Sequence, residues 1–280
     1  MDNRFSIIIP ACNRPNDLSG CIKGLLRNSN SYDIEIIISD DSCSEKELKH
    51  VEEEYNNYDN IRFVNGPKKG PAANRNNGAK NASGNWLIFL DDDCVPSADL
   101  LINYMHAIVD KRDYRVFEGA IVCLDKKLSP LEYAPVNENG GKLWSCNFMI
   151  DRDLFFRIGG FDENYRYPHM EDIDLRRRLI TCGEKIHFIK EAYVSHPLRK
   201  IKSGFKLGRY QEMYLYYKNK YKEPTSLSEL LFSILKVHYS MAKGFFFHKD
   251  FALAVLVMLQ HSFYVFIKYN DWTKKYAKTS

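Results

Sequence analysis

The sequence predicts an α/β fold in which a mostly parallel sheet is flanked by helices and followed by a helical C-terminal extension. Apolar, β-branched runs alternate with segments of helical spacing, which is typical of a βαβ series. Polar residues follow these runs at the carboxyl ends of the strands, where parallel sheets bind ligands. After about Pro224 the composition changes, and leucines recur at helical spacing.

Individual elements follow from these patterns. The predicted strands are Phe5–Pro10, Ile34–Ser39, Ile61–Val64 and Trp86–Leu90. A capping-box pattern from Ser44 to Glu47 predicts a helix that runs to about Tyr55, and Pro71 begins another helix. The predicted division of the chain is an α/β body at 1–198, a basic flap or linker at 199–223 and an amphipathic helical extension at 224–280.

Composition excludes several classes. With 280 residues, 45% apolar and 27% charged, the chain can bury a sizeable core. Its seven cysteines are odd in number and scattered, so neither a disulfide framework nor a zinc cluster is predicted. Since no secretory signal precedes the first predicted strand, we expect a cytoplasmic protein. No nucleic-acid partner is predicted.

The C-terminal part is basic. Residues 199–280 contain 15 Lys and Arg against 5 Asp and Glu, whereas residues 1–198 contain 25 against 31. A basic tail on an acidic body indicates an anionic partner, such as a membrane surface or a phosphate. Two helices are predicted there, an amphipathic one from Leu227 to about Phe245 and an apolar stretch at 251–267.

The apolar stretch is too polar at Gln260–Ser262 for a confident span of the about 20 residues that a bilayer needs. We therefore predict peripheral contact of both helices with the inner face of the membrane. The alternative is that they pack on the α/β body or on the second subunit of a homodimer.

Three consecutive carboxylates, Asp91–Asp93, follow the fourth predicted strand. Adjacent carboxylates resist ionising together unless a cation is present, and Mg²⁺ or Mn²⁺ binds such oxygens while sharing its shell with a diphosphate. The alternative is a solvated acidic turn. Asp41, Asp91 and Asp93 are suited to a base edge, ribose hydroxyls and a metal, respectively. Since no glycine-rich phosphate loop is present, Arg75 is the candidate phosphate cation; otherwise it pairs with Asp40 or Asp41.

Six motifs occur in order within residues 5–198. They are Ile9-Pro10-Ala11-Cys12-Asn13-Arg14, Ser39-Asp40-Asp41-Ser42, Gly70-Pro71-Ala72-Ala73-Asn74-Arg75-Asn76-Asn77-Gly78-Ala79, Leu90-Asp91-Asp92-Asp93, Gly159-Gly160-Phe161-Asp162-Glu163 and Met170-Glu171-Asp172. As an ordered set they resemble the family 2 inverting glycosyltransferases of the GT-A fold.

The resemblance implies a nucleotide-sugar-binding and catalytic domain at 1–198 and a set of site residues. The implied nucleotide-binding residues are Pro10, Asn13, Asp41, Asp91 and Asp92, to which Arg14 and Arg75 are added as candidates. The implied ligand of the metal, Mn²⁺ or Mg²⁺, is Asp93, and His196 matches the position of a further metal or diphosphate contact. The implied catalytic base is Asp172. The Q-x-x-R-W motif of processive synthases is absent, which favours transfer of a single sugar.

The expected reaction moves one sugar from a nucleotide-diphosphate donor to a hydroxyl of a glycan or lipid-linked acceptor in surface polysaccharide synthesis. A UDP-hexose or UDP-N-acetylhexosamine is the first expected donor, and dTDP-rhamnose is the second. On its own terms, Asp172 opens a predicted helix, Glu171–Cys182, whose dipole favours an ionised carboxylate. The alternative for Asp172 is a helix cap. Asp174 is expected to pair with Arg177 or Arg178.

Acceptor contacts are predicted at Trp144, Glu171 and Tyr167, although Trp144 could equally be core. The basic run at 199–204 suggests a flap over the diphosphate, or solvated surface. Two other functions stay open. Residues 87–95 also resemble the phosphatase motif of haloacid-dehalogenase-type enzymes, with Asp91 as nucleophile, and a catalytically silent nucleotide- or carbohydrate-binding module would bind without turnover.

Overall fold

A computed structural model describes residues 4–27, 34–44 and 46–277. The chain forms two compact units. The first contains residues up to Leu124 with Pro135–Arg166 and Glu171–Pro197, and the second contains Asp125–Ala134, Tyr167–Met170 and the residues from Leu198 onwards.

The described residues form ten strands and nine helices. The strands are β1 Phe5–Ala11, β2 Ile34–Asp40, β3 Ile61–Asn65, β4 Trp86–Leu90, β5 Val95–Pro96, β6 Val116–Val122, β7 Glu132–Tyr133, β8 Asn147–Asp151, β9 Ile186–Ser195 and β10 Arg199–Lys200. The helices are α1 Pro15–Leu26, α2 Lys49–Tyr55, α3 Pro71–Lys80, α4 Leu100–Asp110, α5 Arg152–Arg157, α6 Glu171–Thr181, α7 Gly204–Lys220, α8 Leu227–Ala242 and α9 Phe251–Ala277.

One sheet organises the first unit, with strand order β3-β2-β1-β4-β8-β6-β9-β5. Strands β3, β2, β1 and β4 run parallel, whereas β8 is antiparallel to both β4 and β6. All residues of β1 and β4 are buried, as expected for strands covered on both faces. The carboxyl ends of β1, β2 and β4 consequently meet at one edge, which confirms the predicted α/β class.

The start of α2 differs from the prediction. Helix α2 begins at Lys49, because the Ser44 hydroxyl accepts a hydrogen bond from the amide of Lys46 at 3.3 Å and closes a local turn. The proposed capping box is therefore wrong, and its member Glu45 lies outside the described residues. Serine at such a position favours a turn as readily as a helix start.

Three helices dominate the second unit. Residues 199–223, predicted as a flap or linker, contain β10, which pairs antiparallel with β7, and the 17-residue helix α7. The predicted amphipathic helix is present as α8, and the Ser226 hydroxyl and Glu229 cap its start reciprocally. Helix α9 has 27 residues and extends ten residues beyond the predicted apolar stretch. Within the described residues, one segment, Phe251–Tyr276, is long and apolar enough to cross a membrane by length and composition.

Candidate functional site

Side chains at the ends of β1 and β2 form one polar corner. The Asn74 amide donates hydrogen bonds to the carbonyl of Ser39 at 2.8 Å and to that of Ala11 at 3.4 Å, so α3 fixes both strand ends. Pro10 is buried and lies opposite Ser39 in the sheet. Asn13 has a left-handed backbone, φ 54°, and its amide donates to the Ser42 hydroxyl at 2.9 Å. The Asn13 contact thus ties the loop after β1 to the loop after β2.

Asp41 lies in the same corner. One of its carboxylate oxygens accepts a hydrogen bond from the amide of Lys68 at 2.7 Å. Burial raises the pKa of Asp41, although the Lys68 and Gly70 amides oppose that rise. At Gly66 an added Cβ would collide with the side chains of Asp41 and Asn74. The glycine therefore leaves room for Asn74 and for Asp41, the residue that the sequence assigned to the nucleobase region.

The three carboxylates after β4 are not a solvated turn, because Asp92 and Asp93 are buried. The Arg14 guanidinium lies 2.8 Å from a carboxylate oxygen of Asp92 and 2.7 Å from one of Asp93. Burial, with the charges of Asp93 and Asp91, nevertheless raises the pKa of Asp92 to about 8. Burial would also raise the pKa of Asp91, but the Arg75 guanidinium overcomes it and holds that pKa below its usual range.

His196 faces the same carboxylates. Its Nε2 atom lies 3.4 Å from Asp93, and its Nδ1 atom lies 2.9 Å from the carbonyl oxygen of Pro197. Since a carbonyl only accepts hydrogen bonds, Nδ1 donates to Pro197 and Nε2 faces Asp93. This is the orientation that metal-binding histidines adopt. The donor atoms of Asp93, Cys94 and His196 lie within 4.8 Å of one another.

A carboxylate and an imidazole fit Mn²⁺ or Mg²⁺ better than the thiol does. Hydrogen bonding to Cys146 and burial raise the pKa of Cys94 well above its usual value, so its sulfur stays protonated. A protonated, soft sulfur is a poor ligand for hard cations. The residues present therefore fit a divalent cation held by Asp93 and His196.

Arg75 links the end of β4 to the start of α6, where the predicted base lies. Its guanidinium lies 2.6 Å from Asp91 and 3.2 Å from Glu171, and its side chain is buried. Neither Asp40 nor Asp41 is its partner, so that alternative is wrong. Through this one side chain the end of β4 and the start of α6 are held together, and Asp172 follows Glu171 directly.

The two adjacent acids at the start of α6 have different proton affinities. Burial, and the neighbouring charge of Asp172, raise the pKa of Glu171 to about 8. Its Oε2 atom is buried and has no hydrogen-bond partner among the described residues. Burial raises the pKa of Asp172 to about 6, with the amides of Ile173 and Ser145 opposing that rise. Near neutral pH, Asp172 is therefore the ionised acid of the pair.

Sequence reasoning missed Glu118, a buried carboxylate on β6. Its two oxygens accept hydrogen bonds at 2.5–2.8 Å from Asn137 and from three consecutive amides, which belong to Gly141, Lys142 and Leu143. The loop so held leads to Ser145, whose amide lies 3.4 Å from Asp172. The signal in the sequence was a lone acid inside an apolar strand, followed 22 positions later by the Gly140-Gly141 pair, which adopts positive φ.

Asp174 is structural, as predicted. It accepts a hydrogen bond from Arg178 at 2.7 Å, and the same guanidinium donates to the carbonyls of Ile158 and Gly160, each at 2.7 Å. Arg178 thereby fastens α6 to the Gly159-Gly160 turn. Of the two arginines proposed as its partner, Arg178 is confirmed.

The predicted acceptor residues are placed differently from one another. Trp144 is half-buried and packs against the core of the first unit, which supports the core interpretation in part. Tyr167 belongs to the second unit, where its ring centroid lies 6.0 Å from that of Tyr210. These two rings border a cavity of about 410 Å³. Its other lining residues are Pro168, Ser203, Phe205, Lys206 and Arg209.

Comparison with known proteins decides the family. The profile described as glycosyl transferase family 2 matches residues 6–161, and one described as the N-terminal domain of galactosyltransferase matches residues 131–220. The chain belongs to glycosyl transferase family 2. The predicted enzyme class is thereby confirmed at the level of the family, and the phosphatase alternative is wrong.

The matches to named relatives cover only part of each relative's length. A GalNAc(5)-diNAcBac-PP-undecaprenol beta-1,3-glucosyltransferase from Campylobacter jejuni is 40% identical over 92 residues, which are 32% of this chain and 29% of the relative. A cholesterol galactosyltransferase from Borreliella burgdorferi is 30% identical over 219 residues, which are 69% of this chain and 60% of the relative. The chain thus spans less than two thirds of either protein.

Solved structures support the GT-A fold. A crystal structure of GalNAc-T7 with UDP, GalNAc and Mn²⁺ superposes with a TM-score of 0.61 at 17% identity. The match covers 76% of this chain and 48% of that one. At this identity the likeness establishes the fold alone.

Proposed function

We propose that this chain is an inverting glycosyltransferase that moves one sugar from a nucleotide-diphosphate donor to an acceptor hydroxyl. One observation carries the proposal: Arg75 binds both Asp91, at the end of β4, and Glu171, beside the candidate base. Donor and base chemistry are thereby assembled within one unit. A catalytically silent binding module would have no use for a base held at that place.

Asp172 is the proposed catalytic base. With a pKa of about 6 it is ionised near neutral pH, whereas Glu171, at about 8, keeps its proton. Asp172 takes the proton of the acceptor hydroxyl, and the acceptor oxygen bonds to the anomeric carbon from the face opposite the diphosphate. The bond from that carbon to the diphosphate oxygen breaks, and its electron pair leaves with the nucleotide. One displacement inverts the configuration.

Asp93 and His196 are the proposed ligands of a divalent cation, Mn²⁺ or Mg²⁺. Such a cation supplies positive charge to the departing diphosphate. The Arg14 guanidinium, which is two-fifths exposed, contacts Asp92 and Asp93. We propose that Arg14 turns to the diphosphate when the donor binds, because an arginine fork fits phosphate oxygens as well as carboxylates.

UDP is the proposed nucleotide. Asp41 and Asn13 border the corner where a base edge would be read, and Asp91 offers oxygens for ribose hydroxyls. The structurally similar GalNAc-T7 was solved with UDP, which supports this choice. A UDP-hexose or UDP-N-acetylhexosamine is the first proposed donor, and dTDP-rhamnose is the second. Discrimination between such sugars depends on a few contacts, each of about 1–3 kcal/mol.

A lipid-linked glycan is the proposed acceptor in surface polysaccharide synthesis. Both relatives described above are named for lipid acceptors, one undecaprenol-linked and one a sterol. The Tyr167 and Tyr210 rings offer apolar faces to a sugar, and Lys206 and Arg209 line the same cavity. We propose that the helices of the second unit keep the protein on the inner face of the membrane.

Product analysis tests the transferase. Purified protein is incubated with Mn²⁺, each nucleotide sugar in turn and a lipid-linked glycan acceptor, and nucleotide release and product are both measured. We expect UDP release that depends on the acceptor, and a product whose anomeric configuration is opposite to that of the donor. Nucleotide binding without turnover would instead establish the silent module, and retained configuration would exclude the single displacement.

A further inference from the structure

Helix α9 carries two apolar stripes on opposite sides. The inner stripe is buried within the second unit and comprises Ala254, Val257, His261, Val265, Trp272 and Tyr276. The outer stripe is exposed and comprises Leu256, Leu259, Phe263, Phe266 and Ile267. Both follow the spacing of three and four residues that places side chains on one helix face. A helix that is apolar on both sides needs a second apolar neighbour.

Other apolar side chains of the same unit are exposed as well. Phe246 and Phe247 lie in the turn between α8 and α9, and Phe247 is fully exposed. Phe232 on α8 is also exposed. Soluble monomers seldom leave such a set in water, so these residues indicate an interaction surface.

Unpaired lysines flank this surface. Lys243 and Lys249 stand on either side of the turn that carries Phe246 and Phe247, and Lys236 lies over the ring of Phe232 with its nitrogen 5.5 Å from the centroid. None of the three lysines forms an ion pair with any residue that the structure describes. A bilayer with anionic lipids offers an apolar interior and anionic headgroups. Exposed apolar side chains flanked by unpaired lysines complement both.

Contacts with α7 decide the orientation of α9. A Cβ added at Gly204 would collide with the backbone of Val257, and one at Gly208 would come within 2.8 Å of the side chain of Tyr264. Helix α7 therefore lies against α9 at backbone distance. Lys275 of α9 also pairs with Glu212 of α7 at 2.6 Å. If α9 crossed a bilayer, the charged side chains of α7 would have to enter it as well, at a large cost.

We infer that the outer stripe of α9 and the Phe246-Phe247 turn insert into an anionic lipid surface, with α9 parallel to the membrane plane and the flanking lysines against the headgroups. Apolar length alone would allow α9 to span the bilayer. The packing of α7 on its inner face selects the interfacial position. The inference rests on the membrane contact proposed above and names the residues that make it.

Vesicle binding of the full chain tests this inference without donor or acceptor, so its failure would leave the transferase proposal standing. Sedimentation is compared between vesicles of phosphatidylglycerol with phosphatidylcholine and vesicles of phosphatidylcholine alone. We expect at least about tenfold stronger binding to the anionic vesicles. We also expect the bound chain to be released by alkaline carbonate, since interfacial helices are extractable and spanning ones are not.

The decisive variant is Leu259→Gln with Phe263→Gln, which should lower vesicle binding at least about tenfold. Its matched control is Val109→Gln with Leu124→Gln, two side chains that are 55% and 77% exposed in the first unit, and it should bind as the intact chain does. A second variant, Lys236→Gln with Lys243→Gln and Lys249→Gln, should lose the preference for anionic vesicles while keeping its melting temperature.

Three outcomes would overturn the inference. Unchanged binding of the outer-stripe variant would remove those residues from the contact. Resistance of the intact chain to carbonate would mean that α9 spans the bilayer. A chain that ignores anionic vesicles, and whose dimer is split by the outer-stripe variant, would make the surface a homodimer interface.

Discussion

The two units of the molecule depart from ordinary burial in opposite directions. The first buries ionisable side chains, since Arg75, Asp92, Asp93 and Glu171 are almost inaccessible to solvent. The second exposes apolar surface along the outer stripe of α9 and the turn at Phe247. Buried charges and exposed apolar patches are the arrangements that folding alone does not favour. Each therefore coincides with the part of its unit that we propose meets another molecule.

The two departures also differ in energetic cost. Buried charges are tolerated only when they are paired, and removal of one partner leaves the other uncompensated at a cost of about 3–5 kcal/mol. Exposed apolar surface only forgoes a gain of about 25 cal/mol per Å². Substitutions in the first unit should therefore have the larger effects, and substitutions in the second unit the smaller ones.

The largest effect is expected at the metal ligand. Asp93→Asn removes a carboxylate from the cluster with His196, so it should lower transfer at least about 10³-fold and abolish Mn²⁺-dependent binding of UDP. Thermal shift with UDP, with and without Mn²⁺, measures the binding. EDTA should abolish the activity of the unaltered enzyme.

A matched control separates the metal from general acidity. Asp151→Asn changes an acid in the same unit whose carboxylate caps α5, and it should leave Mn²⁺-dependent binding intact. Full activity in EDTA would sink the metal proposal. Equal loss of Mn²⁺ binding in both variants would show that the loss is not specific to Asp93.

The next effect is expected at the base. Asp172→Asn should lower turnover about 10²-fold or more, with donor affinity nearly unchanged, because the amide cannot take a proton. Turnover and donor affinity are measured separately. A variant that melts earlier yet keeps its turnover would show that Asp172 only caps α6.

Acidity offers an independent check on the same residue. Because the pKa of Asp172 is about 6 in the fold, the ionised base is lost as the pH falls through that value. The rate at limiting donor and acceptor should then fall about tenfold per pH unit below about pH 6. Asp172→Asn should lose this limb of the pH profile. A profile that stays flat down to about pH 4.5 would contradict the assignment.

The parts of the site that could be predicted from the sequence are those formed by residues close together in the chain. The strand Trp86–Leu90 followed by Asp91–Asp93 encodes its own position, because an apolar run must be buried and its charged end must lie at the sheet edge. Helix α6 was likewise predicted, with its start at the correct residue, Glu171, and its end one residue too late. The family and fold class followed from such local motifs.

The parts that could not be predicted depend on contacts between distant residues. No periodicity announces that Arg75 reaches Glu171, 96 positions away, or that Glu118 gathers three amides of a later loop. The outer stripe of α9 was also hidden, because a doubly apolar helix has the composition of a membrane span. Which side is buried was decided by the glycines of α7.

A smaller effect is expected at Glu118. Glu118→Gln replaces an acceptor of several amides with a group that also carries N–H donors, so the loop before Ser145 should shift. We expect turnover to fall about tenfold with donor affinity unchanged, and stability to fall by about 1–3 kcal/mol. Glu138→Gln, an exposed acid of the same segment, is the control and should alter neither quantity. If turnover is unchanged while stability falls, Glu118 is structural only.

The smallest effect is expected in the second unit, at the contact between α7 and α9. Alanine at a helical glycine ordinarily gains about 0.5–1 kcal/mol, and Gly20→Ala in α1 should show that gain because nothing lies within 4 Å of its added Cβ. At Gly208 the added Cβ comes within 2.8 Å of Tyr264, and overpacking of this kind costs about 1–3 kcal/mol. Gly208→Ala should therefore lower the melting temperature, whereas Gly20→Ala should raise it. The sign of the difference, measured by thermal unfolding, tests whether α7 fixes α9. If both substitutions stabilise the protein, α7 and α9 are not in close contact. The packing argument against a membrane-spanning α9 would then be wrong.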